Sequence, residues 1–213
     1  MITKKLTLDL IKEFKEYIAS NDFTGFYRNL YDLRHGRFDE IELTLHDKDW
    51  WEMADITGNN IGAVTDVFYE AGVLSDILNN LNDIPPLMFM GSKQINEIRI
   101  PSNIKTIGHE AFEWSGFQKI TFEEGCIEID SEAFYNCFAK EIILPNSLKY
   151  IKRRAFLFCS VPEITIPPNI SKMEYQLFDN PSVVINLPKK IEENYSPDEI
   201  KEMLGEFGKI NFY

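Results

Sequence analysis

The sequence predicts an α+β chain in three parts: a mainly helical N-terminal domain, a short solenoid of four to five coils on a parallel sheet, and a C-terminal capping helix. Three observations predict it. A 22-residue repeat runs from Ile98 to Phe178. Apolar residues fall at helical spacing before residue 86. Ser196, Pro197 and Glu199 carry a helix-start signature near the end of the chain. With 213 residues, 44% of them hydrophobic and 26% charged, the chain has the material for a sizeable core and is not of disordered composition.

The repeat comes first. Ile98, Ile100 and Pro101 are followed by Ile107, Ala111 and Phe112. Ile120 and Phe122 lead to Ile129, Ala133 and Phe134, and Ile142, Leu144 and Pro145 lead to Ile151, Ala155 and Phe156. Ile164, Ile166 and Pro167 lead to Met173, Leu177 and Phe178, so the starts at 98, 120, 142 and 164 are each 22 residues apart. A fifth strand, Ile185 to Pro188, comes one residue early and lacks the second half. Apolar residues two apart share one side of a strand. The proline after three of the strands cannot donate to a ladder and ends them. Ile104 and Ile107, Cys126 and Ile129, Leu148 and Ile151, and Ile170 and Met173 return the chain to the interior. The Ala-Phe pair then closes a short turn over the same core. One unit cannot bury its apolar side alone, whereas stacked copies bury a continuous one.

The pattern Ile-x-Ile-Pro-x-x-Ile-x-x-Ile-Gly-x-x-Ala-Phe-x-x-Ser, from Ile98 to Ser115, resembles the BspA-type leucine-rich repeat. The resemblance covers roughly residues 95–188. It implies a right-handed leucine-rich-repeat solenoid with a parallel sheet on one face, used mostly for protein binding, and many relatives are surface or secreted proteins.

Before the repeat, Leu10, Ile11, Phe14 and Ile18 suggest one helix and Phe26, Leu30 and Leu33 a second. Ile41, Leu43 and Leu45 alternate with Glu40, Glu42 and Thr44 as a half-buried strand. Ile61, Val64, Phe68 and Ala71 form another helical stripe, with Gly72 as its C-cap. Asp83 to Pro86 mark the boundary, and Leu87 to Phe89 are expected as a capping strand. The expected domains are therefore 1–86, 87–188 and 189–213. In the last, Ile200, Met203, Leu204 and Phe207 lie on the helix expected to close the open edge of the stack.

Acidic residues outnumber basic ones by 34 to 22, a net charge of −12. Residues 1–86 hold sixteen acids against eight bases, so most of the excess lies there. Such a charge repels phosphates and predicts no direct binding of nucleic acid or anionic membrane. Asp9, Lys12 and Glu13 interrupt the apolar start too early for a signal peptide, and no stretch nears the roughly 18 apolar residues of a membrane span. A cytoplasmic location is expected.

Chemistry is thinly signalled. Cys137 and Cys159 fall at one repeat position, that of Ser115 and Pro181, where packing favours a ladder of small buried residues over a redox pair. His46, Asp47 and Asp49 could bind a metal or do acid–base work, but a strand end followed by an Asp N-cap explains the same residues and is the favoured reading. No phosphate loop or nucleophile elbow appears. No catalytic residue, metal or cofactor is expected. Trp50 and Trp51 face different ways on a helix, so one of them is a candidate interface residue. Lys152, Arg153 and Arg154 should be neutralised by Asp130, Glu132 and Glu174 on neighbouring coils.

The strand positions facing away from the core are the candidate protein-binding residues. One column reads Glu97, Lys119, Glu141 and Glu163, and the next reads Arg99, Thr121, Ile143 and Thr165. A solenoid displays such columns as one surface, and Ile143 is the apolar exception. The expected function is non-catalytic protein binding, with a cytoplasmic phage or mobile-element inhibitor of a host protein as one form, in which the acidic charge could imitate DNA. The alternative is a surface-displayed adhesion protein of the same repeat family.

Overall fold

The structure, a computed structural model, describes Thr3–Leu6, Glu40–Leu43 and residues 61–213 apart from 71 and 73. The helices expected around Leu10–Ile18 and Phe26–Leu33, the His46–Asp49 cluster and the Trp50–Trp51 pair lie outside the described residues. The strands β1 (Thr3–Leu6) and β2 (Glu40–Leu43) pair in parallel, Thr3 opposite Glu40 and Leu6 opposite Leu43. The strand expected around Ile41 is therefore present. Among the described residues, no helix is long and apolar enough to cross a membrane.

Each repeat forms one coil with two strands. The first strands are β3 (Glu97–Ile100), β5 (Lys119–Phe122), β7 (Glu141–Ile143) and β9 (Glu163–Thr165). The second strands are β4 (Thr106–Ile107), β6 (Glu128–Ile129), β8 (Tyr150–Ile151) and β10 (Lys172–Met173). All pairings are parallel, and partners lie 22 residues apart, as in Ile98 opposite Ile120 opposite Ile142. The positions expected merely to return the chain to the interior thus build a second sheet, ordered β4-β6-β8-β10 without a break.

The third side of each coil is a turn. Phe89, Phe112, Phe134, Phe156 and Phe178 stack through it, with ring centroids 4.8, 4.9, 5.2 and 5.4 Å apart and planes within 12° of parallel. That spacing matches neighbouring strands of a sheet, so one rise per coil satisfies rings and backbone together. Main-chain bonds cross the turns as well: the N–H groups of Phe89, Phe112 and Phe134 each donate to the next coil at 2.8 Å. The turn needs two left-handed residues per coil. Glu110, Glu132, Arg154 and Gln176 fill one such column, and Gly91, Trp114, Asn136 and Phe158 the other.

Leu87 to Phe89 do not form the expected capping strand. They make the same turn as Ala111 and Phe112 one coil earlier, because Phe89 is the first ring of the stack. The helices α1 (Ile61–Glu70) and α2 (Leu74–Asn80) pack on this coil and share its core through Ile61, Val64, Phe68, Leu74, Ile77 and Leu78. Gly72, at φ +74°, donates its N–H to Tyr69 as the expected C-cap. The docking is tight: Gly62 N–H donates to Met90 O at 2.9 Å, and a Cβ there would lie 2.1 Å from that oxygen. Asp66, buried, accepts from Ser92 Oγ and from the N–H groups of Lys93 and Gln94 at 3.0 and 3.3 Å.

At the other end, α3 (Lys190–Asn194) precedes α4 (Pro197–Leu204). The expected capping box of Ser196 and Glu199 is present, with Pro197 in the first turn. Ile200, Met203 and Leu204 are buried. The helix does not reach Phe207, and it closes only the turn side of the last coil, where the carbonyls of Glu202 and Met203 accept the N–H groups of Gln176 and Leu177 at 3.2 and 2.9 Å. Gly205, at φ +78°, ends it, and the chain runs on as β12 (Gly205–Phe212), parallel to β11 (Phe178–Leu187). Main-chain pairing covers the ladder on both sides of an irregularity between Asn180 and Val184, giving the outward donors and acceptors of Phe178–Asn180 and Val184–Leu187 a strand beside them.

Candidate protein-binding face

Alternation along the strands turns all eight candidate side chains outward. Glu97, Arg99, Glu141, Ile143, Glu163 and Thr165 are exposed, and Lys119 and Thr121 are half-buried. Register aligns them as expected, Glu97 beside Lys119 beside Glu141 and Arg99 beside Thr121 beside Ile143. Lys119 Nζ lies 2.7 Å from Glu141, and Arg99 Nε 2.8 Å from Glu123. Both pairs are open to solvent and add little stability.

The strand-face sheet is not continuous. It divides into β3-β5-β7 and β9-β11-β12, and no main-chain hydrogen bond crosses from β7 to β9. Pro162 stands where the preceding coils have Lys140 and Gln118, whose N–H groups donate to the coil before at 3.2 and 2.7 Å. Proline has no N–H to give, so the ladder cannot start there. Since β9 uses Ile164 for its bonds to β11, alternation leaves the N–H groups of Glu163 and Thr165 facing this seam.

A groove of about 850 Å³ opens along the seam. Six of the eight expected residues line it: Glu97, Lys119, Glu141, Ile143, Glu163 and Thr165. Ile143 is 41% exposed there, an aliphatic side chain among carboxylates and hydroxyls. Arg99 instead lines a neighbouring cavity of about 410 Å³ with Tyr69, Leu74 and Leu78 of the N-terminal helices. Thr121 lines neither.

Three features of this face, two of them in the groove, escaped the sequence reading. Pro162 was legible as a proline in a donor position. Asn186 extends the second column beyond Thr165: its Nδ2 donates to Glu163 Oε1 at 2.7 Å and to Thr165 Oγ1 at 3.1 Å, and Asn211 donates to it in turn at 2.9 Å. Tyr213 borders the groove, its hydroxyl donating to Ile166 O at 2.8 Å, and burial pushes its phenol pKa up. No local pattern ties Tyr213 to a site 47 residues away.

Coils of this kind make up most of the described residues. The BspA type leucine rich repeat region matches residues 65–194 in six copies. The chain belongs to the BspA-type leucine-rich repeat family. The match begins before the first recognised repeat and takes in the second half of α1 and all of α2, which agrees with the packing of those helices on the first coil. Repeats of the BspA type commonly mediate protein interactions. No curated protein and no solved structure matches the chain.

Elsewhere on the BspA-type coils several titratable groups have partners. Lys152 Nζ sits 2.8 Å from Glu128 and 3.1 Å from Asp130, Arg154 lies 3.6 Å from Glu132, and Arg153 N–H donates to Glu174 at 3.0 Å. Burial works against the Asp130 carboxylate, yet the Ser131 N–H and Lys152 hold its pKa below the ordinary value. Among the described residues, His109, Glu110 and Glu132 place three potential ligand atoms within 4.8 Å of one another. His109 Nδ1 is 2.7 Å from Ser131 O and Nε2 is 3.4 Å from Glu110, so protein contacts already engage the ring. Cys137 and Cys159 are buried free thiols in the small-residue column, with Ser115 Oγ 3.4 Å from Cys137 Sγ. Burial pushes the Cys126 thiol up to about 12, which leaves it unreactive.

Proposed function

We propose that this chain is a non-catalytic protein-binding module that takes its partner in the strand-face groove, with Ile143 as the apolar anchor. The carrying observation is the seam: it gathers six outward residues and unpaired main-chain donors around one exposed aliphatic side chain. Interface energy concentrates at a desolvated apolar centre inside a polar rim, and this groove has both. The net charge of −12 supports a soluble protein partner over nucleic acid or an anionic membrane. It also supports, as the narrower reading, an inhibitor that acts on a host protein in the cytoplasm.

Affinity purification from native cytosol, followed by titration of the recovered partner, tests the site. Ile143→Asp should weaken binding by at least about 2 kcal/mol, the hot-spot threshold. Thr121→Ala, outside the groove, should leave affinity nearly unchanged. Normal affinity for Ile143→Asp, with a steep loss of affinity in salt, would place the partner on the acidic residues 1–86 instead.

A further inference from the structure

The turns carry a second surface, which the groove does not use. In the left-handed column Gly91, Trp114, Asn136 and Phe158 have φ of 74°, 53°, 49° and 55°. Glycine and asparagine suit this conformation, whereas bulky side chains meet a steric cost. Core burial does not offset that cost: Trp114 is 47% exposed and Phe158 45%. Two more aromatics join them. The ring of Phe138, itself 50% exposed, lies 6.0 Å from Trp114, and Tyr135 lies 5.6 Å from Phe158. Trp114 and Phe158, exposed and kept at backbone expense, with the exposed Phe138 and the half-buried Tyr135 against them on adjacent coils, mark a contact surface.

Charge selects the occupant. Glu110, Glu113 and Glu132 sit on the same turns. Glu113 lies against the Trp114 side chain and is only 8% exposed, and burial together with Glu110 pushes its carboxyl pKa up. Arg154 reaches Glu132 at 3.6 Å from the next coil, and no other Lys or Arg is paired with these three acids among the described residues. A purely apolar partner would desolvate the carboxylates without compensation. A second copy, itself at −12, would bring like charges together. A guanidinium or ammonium group suits both halves of the surface, since it stacks on aromatic faces and pairs with carboxylates.

We infer that Trp114, Tyr135, Phe138 and Phe158, with Glu110 and Glu132 beside them, dock a basic, arginine- or lysine-bearing segment of a protein partner. This surface is independent of the strand-face groove. The probe is a fluorescein-labelled 12-residue peptide alternating Arg and Leu, titrated against the full chain by anisotropy at low and high salt. The double variant W114G/F158N should bind at least tenfold more weakly, while its Tm stays level or rises, because both replacements suit the left-handed backbone. F138S should weaken binding without touching that backbone, and replacing the peptide arginines by glutamine should abolish binding. I143S, in the groove, should bind as the parent does. Absence of binding to the parent chain, or undiminished binding to both W114G/F158N and F138S, would overturn the inference. A concentration-dependent dimer dispersed by W114G/F158N in sedimentation would overturn it in favour of a second copy as occupant.

Discussion

Two columns of side chains run the length of this solenoid, one inside and one outside, and they follow opposite rules. The inner one places phenylalanine at 89, 112, 134, 156 and 178, each ring stacked on the last. The outer one reads Arg99, Thr121 and Ile143 on one side of the seam and Thr165, Asn186 and Asn211 on the other, four residue types in six places. Stacking rewards identity, because each ring presents to its neighbour the surface it receives. Solvent imposes no such condition. Repetition therefore records what holds the coils together, and departure from repetition records what the surface is free to recognise.

Substitutions can break that contrast, and the largest effect belongs inside. Phe134→Ala removes the middle ring of five and should cost about 3–5 kcal/mol in urea unfolding. A loss under 1 kcal/mol would mean that the stack is not cooperative. Gly62→Ala comes next, since its Cβ would meet the Met90 carbonyl and force α1 off the first coil. We expect about 1–3 kcal/mol by the same measurement. Glu113→Gln should act in the opposite direction. Its carboxyl pKa is raised in the folded state, so ionisation opposes folding above the folded pKa and not below the unfolded value. The variant should be the more stable near pH 7, and the difference should vanish as pH falls through the ordinary carboxyl range. Least affected is Ile143→Asp, whose outward position should keep stability within about 0.5 kcal/mol of the parent. A large loss there would mean that the outer column also carries structure.

The inner column was legible because a period of 22 needs only counting, and counting also set the outward residues in order. Whatever breaks the period was harder to see. β12 carries no repeat motif, yet it pairs with β11 over most of its length. The second sheet rests on strands of two residues, too short for alternation to register. Leu87 to Phe89 look like a strand by composition but turn, because their place in the stack overrides local propensity. Trp114 and Phe158 read as ordinary aromatics until their column is set beside Gly91 and Asn136 and its φ is known. The seam was written in a single residue, Pro162, whose meaning depends on which N–H groups the neighbouring coils donate.

That seam also sets a clock. The amide hydrogens of Thr121 and Ile143 are held in ladders to the coil before, so their exchange with solvent deuterium waits on two coils parting. Those of Glu163 and Thr165 face a strand that offers no bond, and they exchange as fast as water reaches them. A stack of near-identical coils, otherwise expected to open as one, thus has a built-in place to open first, between its third and fourth repeats. Whatever settles in the groove there also closes that opening, so occupancy should be readable as a slowing of exchange at two backbone positions.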